Sequence, residues 1–389
     1  MQPGIQNQVA TSSFFDGIGP IRSFFAPGRI NIIGEHLDYN GGSVFPGAIS
    51  LGISGSIQFR GDRLVRLISE QEQDACTINL DSPGDLSFDA GRGWANYPVG
   101  ALVYLDNNGM EVTRGMNIRF SSTLPPGSGL SSSAALEILT AVMASGIERT
   151  TEADLVRIAG LMQSMENEYI GVRCGIMDQF TVALARKDHA ILLDSETLNY
   201  SYVPVDLRDY TFVIMNSNRP RRLADSRYNE RHAECGRALG QIRTGNRALE
   251  RLAMASPDDL AFITDETLKK RARHVVSEHR RVFESVDALA RGDLIVFGKI
   301  LTESHASLRD DYEVTGPELD ALVRSASESP ACIGARMTGA GFGGCAIALV
   351  RRTAVKDFSH IVGQRYTELT GITADFYESG LEDGVREIN

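Results

Sequence analysis

Arg29-Ile30-Asn31-Ile32-Ile33-Gly34-Glu35-His36-Leu37-Asp38-Tyr39-Asn40-Gly41-Gly42 reads as an apolar strand that runs into polar and ionisable side chains and stops at a turn. Alternation through Ile30 and Ile32 argues for the strand, and Asn40-Gly41-Gly42 supplies the positive φ that a tight reversal needs. Glu35, His36 and Asp38 therefore sit on a short loop carried by a rigid element, a setting that hosts binding and catalysis more often than packing. The competing reading of this segment alone is a solvated hairpin tip.

Working outward, Ser50 to Phe59 alternates and Leu64 to Ser69 follows it, which makes the two candidates for an antiparallel hairpin. Helical spacing appears from Pro98 to Leu105, from Ser131 to Ser145 and from Thr151 to Ile170. In the second half Tyr210 to Asn216 reads as a strand, long amphipathic helices fill roughly 222–328, and a final strand runs from Cys345 to Val350. Strands followed by helices in both halves predict an α+β architecture. A chain of 389 residues exceeds what one core serves, and the switch back to strand near Leu207 divides it into 1–207 and 208–389.

Composition narrows the function classes. The 42% hydrophobic share suits a globular protein, and the net charge of −11, from 50 acidic and 39 basic residues without a basic block, argues against nucleic acid. The first residues lack the basic and apolar regions of a signal peptide, and no apolar run approaches the ~18 residues of a membrane span. The expectation is a soluble, cytoplasmic protein. Cys76, Cys174, Cys235, Cys332 and Cys345 are scattered and never form a C-x-x-C pair, so reduced thiols are expected rather than disulfides or zinc.

Pro125-Pro126-Gly127-Ser128-Gly129-Leu130-Ser131-Ser132-Ser133-Ala134 opens directly into an apolar helix. Free N–H groups of a first helical turn, the positive end of the macrodipole and glycines that admit a phosphate together make an anion site. It is not a Walker A sequence, and Ser131 alone could be an ordinary N-cap. Gly339-Ala340-Gly341-Phe342-Gly343-Gly344 satisfies G-x-G-x-x-G, but a strand follows it where a dinucleotide site needs a helix. That run either lets backbone approach a ligand or another loop, or is a packing hairpin. Thr151 and Asp154 form a capping-box-like helix start, and the inward stripe of that helix ends on either Met165 or Glu166. A carboxylate there needs a partner such as a divalent cation; a solvent-tilted glutamate is the alternative. Asp178, the lone acid in Gly171 to Phe180, is a candidate base or a structural hydrogen-bond anchor.

Together these segments resemble the sugar and isoprenoid kinases of the GHMP superfamily, and within it the galactokinases. Pro27 to Gly42 resembles the galactokinase signature, Leu124 to Leu136 the superfamily phosphate loop, and Gly334 to Gly344 its third motif. Trp94 to Pro98, Cys174 to Gln179 and Asp225 to Arg231 are also galactokinase-like, and the resemblance runs from about Phe25 to Tyr377. Leu37, where threonine is common, and Arg173, in a variable slot, depart from the pattern.

The resemblance implies a two-domain fold, an N-terminal domain like domain 2 of ribosomal protein S5 and a ferredoxin-like C-terminal domain. It implies ATP-dependent phosphorylation of the C1 hydroxyl of galactose to galactose 1-phosphate, the first committed step of the Leloir pathway, by a monomer. Asp178 matches the catalytic aspartate and Arg29 the arginine that steadies it. The sugar-binding stretch matches Glu35, His36, Leu37 and Asp38, with Tyr228 from the second half. Gly127, Ser128, Gly129, Leu130, Ser131, Ser132 and Ser133 match the loop around the ATP phosphates, Ser69 the nucleotide pocket, and Ser133 with Glu166 the Mg2+ ligands. Phosphorylation of a related sugar, such as N-acetylgalactosamine or arabinose, is the rival within the kinases. A non-catalytic sensor that binds sugar and ATP is the rival outside them, disfavoured by the intact serines, Asp178 and Arg29.

Overall fold

The computed structural model describes residues 14–145, 151–219 and 224–388, so residues 222 and 223 of the expected helical stretch, and the side chains of Asp225 and Ser226, lie outside the described residues. β1 (Arg22–Ile33) pairs antiparallel with β2 (Ser43–Phe59) across the loop 34–42, where Gly41 takes the left-handed φ of 66°. This loop is no solvated tip: Glu35 and His36 are buried within it.

β2 and β3 (Leu64–Ser69) do not form the expected hairpin. β5 (Met116–Ser122) lies between them, antiparallel to β2 and parallel to β3, while β4 (Cys76–Asn79) takes β3's other edge. Alternation identifies strands but not their partners, and the parallel pair requires a crossover, here containing α1 (Asn96–Asn107). α2 (Ser132–Ser145) and α4 (Met177–Leu184) pack directly on β1 and β2, with α1 and α3 (Glu152–Met165) against them. Thr151 and Asp154 close the capping box expected at the start of α3. At its other end a single π-turn, Glu166–Ile170, adds a residue to the turn, so that Met165 stays in the core and Glu166 is buried as well. β6 (His189–Asp194) pairs with the start of β2, and β7 (Tyr200–Pro204) pairs with β6.

The second sheet, ordered β11-β8-β10-β9, is antiparallel throughout and comprises β8 (Tyr210–Asn216), β9 (Cys332–Thr338), β10 (Cys345–Arg351) and β11 (Asp375–Ser379). Between β8 and β9 run α5 (Ala224–Ile242), α6 (Glu266–Ala290), α7 (Leu294–Ser307) and α8 (Gly316–Ser327); α7 and α8 pack on β9. α9 (Val355–Thr370) covers β10 and β11.

β10 is therefore not the last strand. After β11 the chain leaves the second sheet, and β12 (Arg386–Ile388) pairs with Ser23 to Phe25 of β1 at the edge of the first. Strands of five and three residues carry too little periodicity to be read from sequence. None of the five cysteines forms a disulfide.

Candidate active site

A cavity of about 440 Å³ opens where the loop 34–42, the Gly- and Ser-rich loop, the π-turn, the start of α4 and the β9–β10 loop meet. Arg29, Glu35, His36, Asp38, Gly127, Gly129, Ser131, Ser132, Ser133, Glu166, Asp178 and Tyr228 line it. Four residues singled out from sequence do not. Leu37 and Leu130 are fully buried in the hydrophobic core, so their side chains pack rather than face a ligand. Ser128 is buried with its hydroxyl unpartnered, and Ser69 lies outside the cavity, its Oγ accepting from the Gln71 N–H at 3.3 Å.

Asp178 sits in the first turn of α4, and Arg29 reaches it from β1. Arg29 Nε and Nη2 donate to the two carboxylate oxygens at 2.8 and 2.7 Å, and Nη1 donates to the Gly129 carbonyl at 2.7 Å. This bidentate fork fixes the plane of the carboxylate and ties it to the Gly- and Ser-rich loop. The Ser131 hydroxyl donates to Asp178 Oδ2 at 2.5 Å. Ser131 holds φ at 65° and His36 at 62°, a conformation uncommon outside glycine that clusters at functional sites.

Glu35 is 2% exposed. Asn31 Nδ2 donates to its Oε2 at 3.0 Å, and the Gly339 N–H donates to Oε1 at 2.7 Å. Burial raises its pKa against the opposing pull of Arg336 and Arg29. The glycine-rich run thus meets a second loop, as one of its two sequence readings held. Asp38 is pushed up to about 7 by burial, then by the charges of Asp178 and Glu35. Its place depends on Gly175, where an added Cβ would lie 2.0 Å from Asp38 Oδ2.

Glu166 Oε2 accepts from Gln179 Nε2 at 2.6 Å and lies 3.5 Å from the Cys174 thiol. Burial, then the charge of Asp178, pushes it up to about 7, while the Ser133 hydroxyl favours its charged form. Glu137, wholly buried behind it, is raised well above the carboxylate range by burial and by Glu166. Hard oxygen donors crowded beside an anion loop suit a divalent cation. No cluster of three or more His, Cys, Asp or Glu able to hold a metal exists among the described residues.

Sequence reasoning missed the supporting groups. Arg336, fully buried, donates through Nη1 to the Asn31 and Ile32 carbonyls at 3.0 Å and lies 3.5 Å from Glu35. A charge inside the apolar strand Cys332 to Thr338 was the available signal. Gln179 bridges Glu166 and Glu137, and Asn229 and Ala340 join the wall, with no periodic cue to either.

Three family models match this chain. The galactokinase galactose-binding signature covers residues 13–58, the GHMP kinases N terminal domain 96–186 and the GHMP kinases C terminal 285–368. Fold and cavity together are those of a GHMP kinase; the Methanococcus jannaschii mevalonate kinase shares the fold with a TM-score of 0.65 at 20% identity, covering 95% of this chain and 100% of that one. The galactokinase of Lactiplantibacillus plantarum is 47% identical over 95% of this chain and 96% of its own, and that of Clostridium tetani 46% over 96% and 95%. The crystal structure of Lactococcus lactis galactokinase complexed with galactose superposes with a TM-score of 0.92 at 43% identity, covering 98% of each chain. The chain belongs to the galactokinase family.

Proposed function

We infer that this protein transfers the γ-phosphoryl group of ATP to the C1 hydroxyl of galactose, giving galactose 1-phosphate, the entry step of the Leloir pathway. The observation that carries the reading is the Asp178 carboxylate, clamped by Arg29 and Ser131 in one cavity between the Gly- and Ser-rich loop and the Glu35 to Asp38 loop.

Phosphoryl transfer runs through a loose transition state whose charge lies on the moving oxygens, so positioning and electrostatics dominate. Asp178 accepts or orients the proton of the C1 hydroxyl. Arg29 holds Asp178 and, through Gly129, the loop that receives the phosphates, and it offsets the charge growing between them. Glu35, His36, Asp38 and Tyr228 bind the sugar hydroxyls. Gly127, Gly129 and Ser131 to Ser133, at the N-terminus of α2, receive the ATP phosphates through backbone N–H groups and hydroxyls. Ser133 and Glu166 would hold Mg2+, which when bound supplies charge neutralisation on the phosphate oxygens.

We further propose that the units 1–207 and 208–389 close on this cavity, with β12 the exception that crosses back, and that the enzyme works as a cytoplasmic monomer. Among the described residues no helix is long and apolar enough to cross a membrane. The test is ADP release with galactose, 2-deoxygalactose, N-acetylgalactosamine, glucose and arabinose at equal concentration. Galactose is expected to lead. No ADP with galactose refutes the activity, and preference for the acetylated sugar moves the substrate.

A further inference from the structure

His36 differs from the other polar groups assigned to the sugar, because a neutral imidazole can present either a donor or an acceptor. It is 4% exposed, and burial, reinforced by His274 and Arg231 against a weaker opposing pull from the Ala340 backbone, holds its pKa well below the usual histidine value, so the ring is neutral. Nδ1 faces away from the cavity, 2.8 Å from the Tyr39 hydroxyl. Tyr39 Oη lies 2.8 Å from Tyr312 Oη, and Tyr312 Oη lies 3.1 Å from Cys235 Sγ. Nε2 is buried without a hydrogen-bond partner among the described residues, and His36 lines the cavity together with Ala340. Tyr39, Tyr312 and Cys235 do not line it.

The direction of this chain follows from the relative strengths of its members. The imidazole lone pair is its best acceptor and a phenolic O–H its best donor, so Tyr39 donates to Nδ1. The Tyr39 oxygen then accepts from Tyr312, and the Tyr312 oxygen accepts from the Cys235 thiol. One proton position remains on the ring, and it is Nε2. The Tyr312 ring also packs on the imidazole at a centroid distance of 4.7 Å, which fixes the ring's tilt.

We propose that Cys235 and Tyr312, acting through Tyr39, lock His36 as its Nε2–H tautomer, so that it donates to one hydroxyl oxygen of the sugar and sets discrimination at that hydroxyl. Tyr39, Tyr312 and Cys235 are positioning residues in this device. It rests on the assignment of the cavity to galactose. Tyr312 comes from the π-turn Leu308–Tyr312 after α7, and Cys235 from α5. The second half of the chain thereby sets the chemistry of a loop in the first.

Two measurements test the lock. In ¹⁵N-histidine NMR of the wild-type protein, His36 is expected as a single Nε2–H tautomer, and an Nδ1–H ring overturns the proposal whatever the variants do. In the second, wild type and Tyr312→Phe are compared on galactose and its 2-, 3-, 4- and 6-deoxy forms. Tyr312→Phe keeps the ring contact and breaks the relay. Its discrimination should fall roughly three- to tenfold at one hydroxyl, with KM for galactose changing more than kcat and KM for ATP unmoved. Cys235→Ser, which keeps a donor, should preserve that discrimination better than Cys235→Ala. An equal loss with galactose and all four deoxy sugars means a merely structural tyrosine and refutes the lock. A wild-type protein inactive on galactose refutes the substrate reading, while the tautomer measurement still decides the relay.

Discussion

At the scale of single residues, the site's chemistry hangs on carboxylates held in contrasting ways. Asp178 is clamped by a guanidinium on both oxygens, whereas Asp38 has, among the described residues, only the Tyr39 N–H at 3.1 Å as a hydrogen-bond donor. Asp178→Ala should lower kcat by roughly 10²–10⁴-fold, the usual contribution of a positioned base, while ATP binding by calorimetry persists; near-normal turnover would refute the role. Asp38 predicts a pH effect on the ligand-free protein. Below pH about 4 it is protonated in the folded and unfolded chains alike and contributes nothing. As the pH climbs to about 7 the unfolded chain releases a proton that the folded chain keeps, so the fold loses stability, and above about 7 the loss is complete. The melting temperature of Asp38→Asn should therefore gain on wild type between those limits and run parallel above them. A constant difference across the range would contradict the raised pKa.

At the scale of elements, what the sequence made legible depended on local pattern. The Ile30 and Ile32 alternation, the Thr151 and Asp154 capping box and the Tyr210 to Asn216 strand each carry a signal within a few residues, and each forms where expected. The roles around the cavity came from resemblance, since spacing alone left Glu166, Asp178 and the glycine-rich runs open between function and packing. What stayed hidden was nonlocal. Neither the insertion of β5 between β2 and β3 nor the return of β12 to β1 is written in any periodicity, because pairing is chosen by the whole sheet. The π-turn that turns Glu166 inward likewise has no residue signature. β12 gives the element-scale prediction. Removing residues 386–389 uncovers the edge of β1 and deletes the Glu387 carboxylate, which accepts from Arg22 Nε and Nη2 at 2.8 Å. The melting temperature should fall, by roughly 2–4 °C for each kcal/mol lost. An unchanged melting temperature would mean that the strand is ornamental.

At the scale of the whole molecule, one buried network joins the two sheets behind the cavity. Glu278 of α6, wholly buried, accepts from the Gly34 N–H at 3.0 Å, from the Ser304 hydroxyl at 2.7 Å and from Arg281 Nε at 2.8 Å. Arg336 Nη2 lies 3.7 Å from it. Burial would raise this carboxyl, yet Arg281 and Arg336 overcome that and hold it far below the ordinary range. Removing one partner of such a group leaves buried charge without compensation. Glu278→Leu should cost about 3–5 kcal/mol in denaturant unfolding and weaken galactose binding through Gly34 and Arg336; a variant as stable as wild type would show that the arginines relax into solvent. The pairing of β12 with β1 reaches further, into synthesis itself. The strand that carries Arg29 lies far ahead of β12 in the chain, yet its edge at Ser23 to Phe25 is paired, among the described residues, by residues 386–388. At ordinary elongation rates the nascent chain holds that edge open for roughly 20–70 s. An open strand edge is a template for foreign pairing, so the ribosome-bound chain exposes such a template on the strand whose Arg29 will clamp Asp178.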